Sequence, residues 1–77
     1  MTDDVETIDL RGLKCPLPAL FAKRALERAA PGTTILVLAD DPLAAIDIPH
    51  MCHQEGYEVV NSESADAMSR LRLKRSK

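Results

Sequence analysis

Apolar and polar positions alternate from Glu6 to Arg11, with Ile8 and Leu10 pointing one way and Thr7, Asp9 and Arg11 the other. That is the period of a half-buried strand. From about Pro16 to Ala30 the period becomes helical, and Pro31-Gly32 stops the helix. Ala19, Ala22, Ala25, Leu26 and Ala29 make a continuous small-residue face. Leu17, Leu20 and Phe21 lie on a side continued by Lys23, Arg24, Glu27 and Arg28. Only the first stripe can be core along its whole length, so the second is expected to stay partly exposed. The alternative is a helix rotated to bury Leu17, Leu20 and Phe21 and leave the alanines at the edge.

The run Thr34 to Ala39 is almost unbroken in apolar, largely branched residues, as in a central strand covered over much of both faces. Asp41 as cap and Pro42 as first helical residue predict a second helix. Pro49 is expected to break or kink it after Ile48, and Gly56 to end it, leaving a segment with His50, Met51, Cys52 and His53. Tyr57 to Val60 and Arg70 to Lys74 read as the last two strands, joined by a polar turn over Asn61 to Asp66. The predicted fold is α/β (α+β): a two-layer sandwich, β-α-β-α-β-β, with two helices on one face of a four-stranded mixed sheet. The other face is expected to be wet and, along the last strand, positive.

Seventy-seven residues make one domain, residues 1–77, near the size at which only about 60% of the unfolded surface is buried. A deep, dry enzyme cavity is not expected. The charge balance is −2, but Arg70, Arg72, Lys74, Arg75 and Lys77 hold half of the ten basic residues, opposite an acidic head at Asp3, Asp4 and Glu6. A basic cluster of this kind suits phosphate or an acidic protein surface, or a solvated strand edge blunted against aggregation. The N-terminal stretch lacks the basic and apolar regions of a signal peptide and no apolar run is long enough for a membrane span, so a cytoplasmic protein without membrane contact is expected. Two cysteines are too few for a disulfide framework.

The chemistry concentrates in Arg11-Gly12-Leu13-Lys14-Cys15-Pro16-Leu17-Pro18. Gly12 lets the chain turn sharply after the strand, and Pro16 and Pro18 suit a first helical turn. Cys15 then falls at or beside the helix N-cap, where the dipole, aided by Arg11 and Lys14, is expected to favour thiolate. A small buried apolar residue is the other reading of Cys15. Cys52, between Met51 and His53, reads as core packing more simply than as a resolving thiol or second carrier. A zinc site from Cys52, His50 and His53 is disfavoured, because residues 50 and 53 share a helical face that residue 52 only flanks. Asp40 and Asp41 are explained by a turn and a cap, and catalysis by Asp40, Asp41 or Asp47 is not expected.

With these residues in place the chain resembles the TusA/SirA-type small sulfur-carrier family. The resemblance rests on Asp9-Leu10-Arg11-Gly12-Leu13-Lys14-Cys15-Pro16-Leu17-Pro18, which carries the Cys-Pro-x-Pro motif, and on a second block from Ala39-Asp40-Asp41-Pro42 through Asp47-Ile48-Pro49 to Cys52. It implies a two-layer sandwich with a persulfide carried on Cys15, a carrier more than a stand-alone catalyst, needing no cofactor. The partners it implies are a sulfur donor such as a pyridoxal-phosphate cysteine desulfurase and a downstream sulfur-acceptor protein, in some members on the way to transfer-RNA thiolation. His50 to Gly56 departs from the transfer-RNA branch, where more aromatic and apolar residues follow the cysteine.

In this reading Cys15 is the reactive residue, Arg11, Gly12, Lys14, Pro16 and Pro18 support it, and Leu17, Leu20 and Phe21 form a docking patch. Two other classes compete. One is a regulatory or nucleic-acid-binding module using the basic last strand; 3% aromatic residues and a negative net charge disfavour direct nucleic-acid binding. The other is a redox sensor forming mixed disulfides at Cys15.

Overall fold

Ile35, Val37 and Ala39 of one strand and Leu71 and Leu73 of another are fully buried, and they form the floor on which the two helices rest. The computed structural model describes residues 6–75. Its elements are β1 (Glu6–Asp9), α1 (Leu17–Arg28), β2 (Thr34–Ala39), α2 (Ala44–Glu55), β3 (Glu58–Ala65) and β4 (Met68–Lys74). The sheet runs β1-β2-β4-β3, with β1 parallel to β2 and the other neighbours antiparallel. This is the predicted α+β sandwich, a four-stranded mixed sheet under two helices.

α1 buries Pro18, Ala22 and Leu26, with Ala19 and Ala25 packed at the margin of the core. Small side chains let the helix sit close to the sheet. Leu17, Leu20 and Phe21 are left 39%, 40% and 38% exposed, so the helix is not rotated to bury them. α2 contributes Ala44, Ile48, Met51 and Cys52 to the same core. Gly56 ends it at φ 83°, a left-handed backbone that a Cβ would strain, and its N–H bonds the carbonyl of Cys52.

Four features differ from the sequence expectation. α2 runs through Pro49 as one helix. Proline there removes the bond its N–H would give to the carbonyl four residues back, but Ile48 on one side and Met51 and Cys52 on the other are buried and pin both halves to the core. α2 also begins at Ala44, later than Pro42, with Asp41 outside the helix. Next, Asn61 to Ala65 form strand, pairing with Met68 to Arg72, and the turn shrinks to Asp66 and Ala67. Both turn residues have positive φ, 53° and 60°, the geometry that joins twisted antiparallel strands in two residues. A bulge lies between Val59 and Asn61.

Finally, β4 is no edge. It lies between β2 and β3, and Arg70 and Arg72 project from the middle of the open face, opposite Leu38 and Leu36 on β2 and Glu63 and Asn61 on β3. Arg75 belongs to neither face. Its Nη1 donates to the carbonyls of Leu26, Glu27 and Ala29 at 3.3, 2.8 and 2.6 Å, placing a cation on the C-terminal carbonyls of α1. The acidic residues Asp3 and Asp4 and the basic Lys77 lie outside the described residues.

Candidate functional site

β1 and β2 are parallel, so the loop leaving β1 and the turn leaving β2 emerge at the same end of the sheet. The first loop carries Cys15. Gly12, at φ 91°, takes the left-handed backbone of a tight turn in which Leu13 N–H returns to the Leu10 carbonyl at 3.3 Å. Pro16 is the N-cap of α1 and Leu17 its first residue, so Cys15 stands one position before the cap. The Cys15–Pro16 peptide is cis. Pro18 is buried in the first turn and anchors the start of the helix. Cys15 itself is exposed.

The turn after β2 holds this loop with carboxylates. Asp40 Oδ1 accepts the Gly12 N–H at 2.9 Å. Asp41 Oδ2 accepts the Cys15 N–H at 2.6 Å, while its Oδ1 accepts the Leu43 N–H at 3.1 Å. Asp41 is itself buried, and the two backbone bonds, from Leu43 and then Cys15, keep its carboxyl below the usual carboxylate range. One side chain thus ties the cysteine loop to the approach of α2. From the first turn of α2, Asp47 Oδ2 accepts the Cys15 S–H at 2.7 Å.

Asp47 reverses the expectation for the thiol. The hydrogen bond to Asp47, then partial desolvation, then the negative charges of Asp47 and Asp41 raise the Cys15 pKa above its ordinary value. The hydrogen bond favours S–H over thiolate. An acceptor-only carboxylate at hydrogen-bond distance favours the protonated form more than a helix dipole one residue away favours the anion. Nor does Arg11 serve the sulfur: its Nε and Nη2 donate to the two oxygens of Asp9 at 2.8 and 2.7 Å. That fork holds the Asp9 carboxyl down to about 2. Lys14 is exposed, and its charge acts on Asp41, which it helps keep ionised.

Asp40, Asp41 and Asp47 are what the sequence reading missed. They stand 26 to 32 residues from their partners in the loop, beyond the reach of any local pattern. The available signal was topological, since parallel strands place their C-terminal loops side by side. Besides Leu17 and Leu20 on α1, Leu43 (51% exposed) at the N-cap of α2 and Ile46 (65%), beside Asp47 in its first turn, are exposed apolar residues. Phe21 opens instead onto a shallow groove of about 380 Å³ between β1 and α1, lined also by Ile8, Leu10, Ala25 and Arg28.

Cys52 is fully buried in the core, and burial pushes its thiol up to about 11. A thiol reagent at neutral pH should therefore modify one cysteine in the native protein and both after unfolding in denaturant, counted by intact mass. Cys52→Ser should leave the modification of Cys15 untouched. Among the described residues no three of His, Cys, Asp or Glu are placed to share a metal ion, and no helix is long and apolar enough to cross a membrane.

Fold and site together define a class: a two-layer α+β domain that presents one exposed cysteine on the loop between its first strand and first helix. The family description sulfurtransferase TusA matches residues 6–75. The chain belongs to the TusA sulfurtransferase family, whose role is sulfur carriage. Among solved structures it is similar to a SirA-like protein from Desulfitobacterium hafniense, with a TM-score of 0.80 and 27% identity, covering 95% of this chain and 100% of that one.

Proposed function

We propose that the protein accepts a sulfane sulfur on Cys15 from a donor such as a cysteine desulfurase and relays it to an acceptor protein, with transfer-RNA thiolation one of the pathways it fits. The observation that carries the reading is the exposed Cys15 in its Cys-Pro-x-Pro setting, held at two backbone amides by Asp40 and Asp41. In loading, the Cys15 sulfur attacks the terminal sulfur of a donor persulfide. A new S–S bond forms at Cys15 and the donor's S–S bond breaks. Its electron pair and the proton lost by Cys15 end on the donor cysteine, so Cys15–SH and R–S–S⁻ give Cys15–S–S⁻ and R–SH without an external oxidant.

The site is a surface, so the partner must supply the walls that exclude water. Leu17, Leu20, Leu43 and Ile46 offer it an apolar border, and Phe21 continues the patch toward β1. Leu20→Glu should slow loading by a desulfurase about tenfold or more while leaving reaction with a small alkylating agent unchanged. Equal loading rates would remove Leu20 from the docking face. The reading as a whole is tested by incubating the protein with a cysteine desulfurase and cysteine. Intact mass should rise by one sulfur and return on reduction, and failure to load from any desulfurase or from inorganic polysulfide overturns it.

A further inference from the structure

Asp47 bonds the thiol itself: its Oδ2 takes the Cys15 S–H, whereas Asp40 and Asp41 take backbone amides. We propose that Asp47 is a positioning residue that holds the proton of the resting Cys15 thiol and, by its negative charge, disfavours the loaded persulfide anion, so that sulfur is passed on and not stored. The proposal rests on the reading of Cys15 as a sulfur carrier.

The argument is one of charge at close range. A carboxylate accepts and does not donate, so it stabilises S–H and opposes any anion in the same place. With Asp47 2.7 Å from Sγ, a terminal sulfur one bond further out is still within a few ångströms of it. A persulfide is a stronger acid than the thiol it replaces and is anionic at neutral pH, so loading converts a hydrogen-bonded pair into a like-charge pair.

The other charges facing Cys15 do not cancel this. Asp41 adds a second negative charge, Asp40 is turned to the Gly12 N–H, and Arg11 is committed to Asp9. Lys14 acts on Asp41, and His50 stands one turn further along α2. Two carboxylates, Asp47 and Asp41, therefore act on the Cys15 thiol, and both oppose its ionisation.

Onward transfer to a thiol balances without a redox partner. In Cys15–S–S⁻ plus G–SH, a bond forms between the acceptor sulfur and the terminal sulfur, and the bond from that sulfur to Cys15 breaks. The proton of G–SH ends on Cys15, giving Cys15–SH and G–S–S⁻. Asp47 stabilises the product and destabilises the reactant, shifting the exchange toward release.

The test compares wild type, Asp47→Asn and Asp47→Glu, all with Cys52→Ser. The first measurement is the rate of Cys15 alkylation by iodoacetamide against pH. The amide has no charge to oppose thiolate, so Asp47→Asn should move the profile to lower pH and react about three- to tenfold faster at pH 7, with Asp47→Glu staying close to wild type. The second is the partition of sulfane sulfur between the protein, loaded with inorganic polysulfide, and glutathione at equilibrium. Asp47→Asn should retain about three- to tenfold more. An unchanged pH profile or an unchanged partition overturns the proposal. A shifted profile in a protein that takes no sulfur leaves Asp47 as the proton partner of Cys15 but ends both the carrier reading and the release role built on it. Normal loading with an unshifted profile ends the Asp47 proposal alone.

Discussion

Cys15→Ser should accept no sulfur at all. Serine is nearly isosteric, keeps the backbone N–H that bonds Asp41, and can offer its hydroxyl to Asp47 in place of the thiol, so the loop has every reason to stay in place. What it lacks is a sulfur nucleophile: at neutral pH a hydroxyl is not ionised enough to attack a sulfane sulfur, and a carboxylate is too weak a base to activate it. After incubation with a desulfurase and cysteine, intact mass should show a full gain in wild type and none in the variant, with matching circular dichroism and melting temperature. Sulfur on Cys15→Ser would transfer the role to Cys52, which would then have to leave the core.

Much of this was legible in the chain. Period-two alternation marked β1 and β4, the apolar run marked β2, and the alanine face of α1 against Leu17, Leu20 and Phe21 told which side would be buried. These are local properties of one strand or helix. What failed was set by partners distant in sequence. The polar stretch Asn61 to Ala65 has the composition of a loop, yet pairing with β4 makes it strand, because one face of a two-layer sheet is open and tolerates serine and glutamate. Pro49 reads as a breaker until the packing on both sides of it is known. Strand order leaves no periodicity either, so the basic side chains of β4 resembled a protected edge while lying in the sheet's interior. The site divides the same way. Cys15 and its prolines announce themselves in a motif, whereas the hydrogen-bond partner of the thiol, Asp47, lies 32 residues on.

Leu26→Ala carries the largest expected effect on stability. Leu26 is fully buried on the face of α1 that lies on the sheet, and removing most of its side chain costs about 3 kcal/mol in transfer and cavity terms. A domain of this length has roughly 4 to 12 kcal/mol in all, so the loss is a large share and lowers the folded-to-unfolded ratio by about two orders of magnitude. The check is urea unfolding: the midpoint should fall with little change in slope. Leu26 also lies about two and a half turns along α1 from the cysteine loop, so sulfur loading per folded molecule should match wild type. A loss under about 1 kcal/mol would mean that α1 is held mainly by its ends, through Pro18 and Arg75, and not by its middle.

The position of β4 has a consequence for how the protein is made. The strand that joins β2 to β3 comes after both of them in the sequence, and Arg75, which covers the end of α1, follows it immediately. As the polypeptide leaves the ribosome, both helices and three strands emerge before the piece that unites them, and β2 and β3 have no strand in common until then. Closure of the sheet therefore waits until residues 68–74 have been made, and a nascent chain cut short before residue 70 lacks the centre of its sheet, not its margin.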